Sequence, residues 1–374
     1  GKTGNQDGIG NYAWQPLMSG GINYGNNSGM AVTSMGNNKL TWETADQYDF
    51  GFDLGFWNGK LNMIADIYLK NTNNLLYSMP LHGTSGFTSI TSNIGSMRNY
   101  GVEFSINGHL NICKVNWTSS FNISHNKNKL TKLLGDDLLP IGSNRALKVG
   151  EELGAFYLFQ MDGLYQYDGE VPQPLYDLGV RAGDVKYHDA DNNGIINDND
   201  RVLTGSSNPD FFGGWNNTFK YKGFQLDVFF TYMYGNDVYA EWAVTATRPG
   251  YRMAITEDVA KNRWTAPGSS DKYPRAVNTL CGHNSKNSTR FLEDGSFIRL
   301  RSLTFSYTFP QVMLQKICLK GLRLYVQGDN LLLFSKYSGW DPEVSKNMDP
   351  QYFGVDLYGV PPSRSVNFGI NLSF

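Results

Sequence analysis

The chain has 374 residues, 14% aromatic and only 18% charged, with 41 Gly, 14 Pro and a net charge of −2. That length allows one large β-domain or two ordinary ones, and the charge offers no basic face for nucleic acid. No stretch approaches the roughly 18 consecutive apolar residues of a membrane helix, which excludes a helical membrane protein but not a barrel, whose signal is alternation.

Taken in order, the sequence predicts about nine strands of period two. In 46–57, Phe50, Phe52, Leu54 and Phe56 alternate with Asp49, Gly51, Asp53 and Gly55. Asn58-Gly59 follows, a dipeptide that two-residue hairpins favour because both positions accept positive φ. The return strand 60–70 puts Leu61, Met63, Ala65, Ile67 and Leu69 on one face, with Asn62, Asp66, Tyr68 and Lys70 on the other. The same alternation marks 97–108, 115–126, 213–221, 224–235, 296–309, 321–334 and 363–374. Within 296–309, Ile298 and Leu300 are out of phase with Leu303, Phe305 and Tyr307. Either a bulge near Arg301-Ser302 or arginines lying above a bilayer reconciles them.

The connections run short, then long, down the chain. Asn58-Gly59, 109–114, Lys222-Gly223 and 310–320 are the short ones; 71–96, 127–212, 236–295 and 335–362 are the long ones. A transmembrane barrel sorts its loops in this way, with short periplasmic turns and long external loops. The polar face (Asp53, Asp66, Glu103, Asn116, Asp227) is then expected inside, and Trp57, Tyr68, Trp117, Tyr221 and Tyr234 in interfacial girdles. The expected fold is therefore all-β: a transmembrane antiparallel barrel with long extracellular loops, of which this chain supplies the last nine or ten strands. Opening without a start methionine or signal peptide, the chain is expected to be a piece of something longer, whether truncated or split.

One motif carries metal-binding logic. Residues 189–200 place Asp189, Asp191 and Asn193 at positions 1, 3 and 5, Gly194 at 6, the Ile195 carbonyl at 7, Ile196 at 8 and Asp200 at 12. This is the order of an EF-hand-like calcium loop, with Asp in place of the usual bidentate Glu. Hard oxygen ligands favour Ca²⁺, with Mg²⁺ second, in a structural role: stapling the extracellular loop 127–212. An Asn/Asp/Gly-rich turn that binds nothing is the alternative, and Asp198 reads as a solvated charge. In 236–295, Trp242, Arg248, Tyr251, Arg252, Arg263, Trp264 and Tyr273 suit sugar rings or peptide backbones, but packing against a neighbouring loop or a lid explains them better. Gly339-Trp340-Asp341-Pro342-Glu343 poses the same choice. Substrate contacts are thus not assigned.

For an enzyme there is little. The sequence holds no Gly-x-Ser-x-Gly elbow, His-Glu-x-x-His or phosphate loop. Ser124 and His125 are adjacent in a strand and so point to opposite faces. Three cysteines, Cys113, Cys281 and Cys318, are too few and scattered for a disulfide framework or a zinc site.

Several segments are similar to a known family. Gly1-Lys2-Thr3-Gly4-Asn5-Gln6 with Ile9-Gly10-Asn11-Tyr12, Leu40-Thr41-Trp42-Glu43 and Asn99-Tyr100-Gly101-Val102-Glu103 resemble signatures of SusC/RagA-type TonB-dependent outer-membrane transporters. So do Gly163-Leu164-Tyr165-Gln166, the acidic loop at Asp189, Asp294–Leu300, Asp329-Asn330-Leu331 and the terminal strand ending at Phe374. The resemblance implies a barrel of roughly 22 strands in outer-membrane lipid. Its other parts would be an N-terminal barrel portion, a plug and a TonB-contacting box, all outside this chain, and its lid a SusD-like surface lipoprotein. It implies import of oligosaccharides or peptides and no catalysis; a dimer of transporter–lipoprotein pairs is left open. The competing reading is a calcium-stapled soluble or surface β-module for adhesion or scaffolding.

Overall fold

All nine alternating stretches form strands, and each pairs antiparallel with its neighbours in one ten-stranded sheet. The structure, a computed structural model, describes residues 1–7, 9–23, 25–135, 138–251, 253–277, 282–315, 319–346 and 352–374. Arg252, Cys281 and Cys318 lie outside the described residues. The sheet runs in chain order from Lys2–Asn5 through Glu43–Phe56, Leu61–Pro80, Ser89–Ile112, Val115–Leu133, Phe211–Tyr221, Phe224–Tyr234, Phe297–Thr308 and Gly321–Ser335 to Ser365–Ser373. The tenth strand is Lys2–Asn5, which pairs with Glu43–Asp46. Four polar or glycine residues, all exposed, give it no alternation to detect.

Register confirms the two faces. Phe52 lies opposite Ala65, which continues through Phe104, Ile123 and Gly213 to Tyr232 and Ile298. Three positions along, on the other face, Gly55 leads through Asn62, Asn107 and Ser120 to Asn216. Among the described residues the apolar side stays largely open: Phe50 is 70% exposed and Phe368 80%, and Phe374, just past the last strand, 78%. The polar side ties itself together, with Thr218 Oγ1 donating to Asp227 Oδ1 (2.7 Å) and Gln327 Nε2 to Asp329 Oδ1 (2.8 Å). Such a sheet, apolar outward and polar inward, is the wall of a membrane barrel.

Three expectations need correction. Residues 71–96 are mostly strand, joined through 81–88, because Leu61–Pro80 and Ser89–Ile112 continue well past the apolar alternation. Register shifts between Asn73 and Leu76 throw the side chains out of phase there, and the polar Asn-Thr-Asn-Asn run hides the strand. The Asn58-Gly59 turn is wider than two residues, since Phe56 pairs with Leu61 and Trp57, Asn58 and Gly59 all take positive φ. Lys222-Gly223, by contrast, closes a two-residue hairpin, with φ of 47° and 92°. Lastly, Tyr68 belongs to no girdle. It sits on the inner face across from Gly101 and donates to Asn126 Oδ1 at 2.9 Å.

The broken phase of 296–309 is a bulge. Phe229 faces Ser302 while Phe230 faces Leu300, so Arg301 is the extra residue. The next strand answers with its own irregularity, Leu300 opposite Leu332 but Ser302 opposite Asp329.

The long excursions carry their own structure. Residues 127–212 contain a four-stranded sheet ordered Arg201–Ser206, Ala155–Phe159, Arg145–Lys148, Leu138–Ile141, together with the pair Met161–Leu164 and Val185–Tyr187. One apolar cluster joins Phe156 and Leu158 to Val238, Tyr239 and Phe291 and to Tyr337 and Val355, so that three excursions share a core. A second gathers Phe159, Leu164, Tyr165, Val171, Leu175, Val180, Val185, Tyr187 and Ile196.

Candidate functional site

Ile196 anchors the acidic loop to the second cluster. The chain reverses with Asn192 at φ 56° and Gly194 at φ 77°, the conformation for which position 6 needs glycine. This turn aims backbone amides at the carboxylates. Asp189 Oδ2 accepts from the Gly194 amide (2.6 Å) and its Oδ1 from that of Asn193 (3.1 Å). Asp191 Oδ2 accepts from Asn193 Nδ2 (2.7 Å), and Asn193 Oδ1 from the Ile195 amide (2.7 Å). Asp200, fully buried, accepts from Ala190 (2.9 Å) and Asn197 (2.8 Å), closing the loop end to end. Partial desolvation pushes the Asp189 carboxyl up, but the amide donors of Gly194 and Asn193 more than offset this and hold it below the usual carboxylate value.

The loop brings together Asp189, Asp191 and Asp200, whose carboxylate oxygens lie within 4.8 Å of one another. Asn193 packs against Asp191, and Ile195 turns its side chain to solvent, 47% exposed. Asp198 points away, 83% exposed, with Arg201 Nε 3.1 Å from its Oδ1. An all-oxygen set of this kind fits a hard divalent cation, since carboxylate oxygens keep lone pairs beyond those facing the amides.

The aromatic and charged residues of the other loops mostly hold excursions together. Trp264 covers Gly183 and donates to Gln166 Oε1 (3.1 Å); Trp242 donates to the Tyr337 hydroxyl (3.1 Å). Arg275 forks onto both oxygens of buried Asp184 at 2.9 Å. In the Trp-Asp-Pro-Glu segment, Asp341 receives Arg299 Nη2 at 2.6 Å and 2.7 Å, and Glu343 receives Arg301 at 2.9 Å and 3.0 Å. Arg299 Nε also lies 2.9 Å from Glu343, in ion-pair range though off the hydrogen-bond line. The bulge at Arg301 therefore has a partner loop, and these carboxylates staple 335–362 to the wall. Trp340 stays 76% exposed. Sequence reasoning missed Arg145, a buried arginine in an apolar cavity; arginine is rarely buried, and nothing around Asn144-Arg145-Ala146-Leu147 signals it.

No catalytic constellation forms at the Ser124–His125 pair. Ser124 faces Glu103 and His125 faces Val102, on opposite sides of the sheet, and His125 Nδ1 sits against the Asp210 carbonyl.

A family profile described as "TonB dependent receptor-like, beta-barrel" matches residues 8–331. TonB-dependent receptor P3 of Formosa agariphila is 34% identical over 365 residues, covering 93% of this chain and 36% of its own length. TonB-dependent receptor SusC of Bacteroides thetaiotaomicron is 29% identical, covering 90% of this chain and 32% of its own length. Among solved structures, the RagAB peptide transporter superposes with a TM-score of 0.84 at 27% identity, covering all of this chain and 40% of the matched one. The chain thus spans between about a third and two fifths of the length of these proteins. A soluble adhesion or scaffolding module is set aside, because it needs apolar strand faces that meet each other. With its outward apolar wall and this match, the chain belongs to the TonB-dependent receptor β-barrel family, in its SusC/RagA type, a family of outer-membrane receptors and not of enzymes.

Proposed function

We propose that this chain is the C-terminal part of the barrel of an outer-membrane importer, energised through TonB and taking up oligosaccharides or peptides beneath a SusD-like surface lipoprotein. The observation that carries the reading is the sheet itself, whose outward side chains from Glu43–Phe56 to Ser365–Ser373 are mostly apolar and many of them exposed, while its inward ones are mostly polar. The SusC-named relative and the RagAB peptide transporter support it. The test is affinity isolation of the tagged full-length protein from native outer membranes, with uptake of labelled oligosaccharides and peptides by the deletion strain. Co-isolation of a surface lipoprotein and loss of uptake of one polymer class are expected, and the mass of the complex reports whether two such pairs associate. A soluble protein whose deletion leaves uptake unchanged contradicts the reading.

We infer further that loop 189–200 holds Ca²⁺, with Mg²⁺ second, through Asp189, Asp191, Asn193, the Ile195 carbonyl and Asp200. Supporting this are the convergence of three carboxylates and the absence of nitrogen or sulfur donors from the set. The ion would neutralise those carboxylates and staple the excursion to its core. Titrating Ca²⁺ into chelator-treated full-length protein should raise its melting temperature, and Asp189→Asn should abolish the rise. Equal melting with and without Ca²⁺ contradicts the assignment.

A further inference from the structure

Arg145 stands out among the buried cations. It lies in the strand Arg145–Lys148, 9% exposed, with its guanidinium 4.7 Å from the centroid of the Phe156 ring. Its Nη2 donates to Ser207 Oγ (3.2 Å) and to the Phe353 carbonyl. Its Nε is buried and has no hydrogen-bond acceptor, and among the described residues no carboxylate forms an ion pair with it. Arg299 has Asp341 and Glu343, and Arg275 has Asp184; Arg290 has backbone carbonyls instead, donating to those of Asn284 and Thr247 and to the Thr247 hydroxyl. Burial pushes the Arg145 guanidinium down to about 10, which still leaves it charged near neutral pH. A buried charge without a counter-charge is costly, and arginine cannot relieve the cost by giving up its proton.

This cation lines a cavity of about 340 Å³ whose walls include Leu76, Ile94, Leu130, Leu147 and Ala155. Leu130 shares its strand face with Asn126 and Asn128, so the cavity opens on the inner side of the wall, beneath the hairpin 138–148. Its size falls at the lower end of the roughly 300–1,000 Å³ of small-molecule sites. An apolar lining selects an alkyl body, and a guanidinium that keeps its charge without a carboxylate partner selects an anionic head group. We propose that the Arg145 cavity binds a small amphipathic carboxylate, such as the C-terminal apolar residue of a peptide. Free fatty acids share that chemistry. Binding at this site does not require that the protein import its ligand, so the two readings fail separately.

The test is calorimetric titration of the full-length protein in detergent with N-acetyl-leucyl-leucine, its C-terminal amide and octanoate. The acid should bind at least tenfold more tightly than the amide, whose body is the same and whose charge is absent. Whichever of the dipeptide acid and octanoate binds more tightly identifies the source of the carboxylate. In Arg145→Met the preference for acid over amide should vanish. Because the acid–amide comparison needs only the unmodified protein, a variant that fails to fold does not spare the proposal. Equal affinity for acid and amide, or no binding of either acid because other parts of the polypeptide fill the cavity, overturns it.

Discussion

At the scale of single residues, buried polar groups govern the excursions. Asp200 accepts two backbone amides in a fully buried position, so Asp200→Ala strands the Ala190 and Asn197 donors. Each buried unsatisfied group costs roughly 1–3 kcal/mol. Hydrogen exchange at those two amides should accelerate by an order of magnitude or more, and unchanged protection would show that Asp200 does not hold the loop. His283 gives a pH signature. Burial pushes its imidazole below the ordinary value of 6.5, and this outweighs the Val185 carbonyl against its ring and the nearby Asp184; Lys286 pushes it further down. A depressed folded value means that the unfolded chain binds the proton more readily, so stability is full above about pH 6.5 and is lost as pH falls below it. Limited proteolysis of 236–295 should quicken between neutral and mildly acidic pH in the native protein, and His283→Gln should flatten that dependence.

At the scale of elements, the bulged strand Phe297–Thr308 and the segment 339–343 form one unit. Arg299 and Asp341 are 3% and 5% exposed. Arg299→Met leaves Asp341 buried without its partner, a loss of about 3–5 kcal/mol, whereas adding Asp341→Leu should recover most of it. Denaturant titration followed by tryptophan fluorescence distinguishes the two variants; equal destabilisation would mean that the pair is not the staple. This unit also shows what the sequence could convey. Its phase break was legible because alternation is strictly two-residue, and Ile298 and Leu303 could not share a face without an insertion. The identity of the partner loop was not legible, since an ion pair across 42 residues leaves no periodic trace. Strands with clean alternation, such as Glu43–Phe56, were readable almost to their ends. Lys2–Asn5 and the upper half of Leu61–Pro80, where polar residues and bulges replace alternation, were not. The acidic loop was legible as a motif because its turn requires glycine at a fixed offset, but the carboxylates' engagement by backbone amides emerged only from the fold.

At the scale of the whole molecule, a membrane barrel requires that the apolar face of the sheet meets lipid. From Tyr48 to Phe56 the outward residues of Glu43–Phe56 are aromatic or apolar and all exposed. Eight steps at about 3.3 Å span roughly 26 Å along the strand, which at a tilt of about 40° covers roughly 20 Å of the ~25 Å apolar band of an outer-membrane barrel. At the short-turn end, aromatic rings gather as an interfacial belt would: Trp117 stacks on Phe219 at 6.0 Å, and Phe224 meets Tyr307 at 4.5 Å. The most direct measurement is a spin-label scan of positions 50 to 56 in the full-length protein reconstituted in lipid, recording collision with oxygen and with a water-soluble nickel complex. Oxygen accessibility should peak at positions 50, 52, 54 and 56 and fall at 51, 53 and 55. A scan without a two-residue period, or one in which the nickel complex reaches Phe50 and Phe52 as readily as oxygen does, would contradict the barrel.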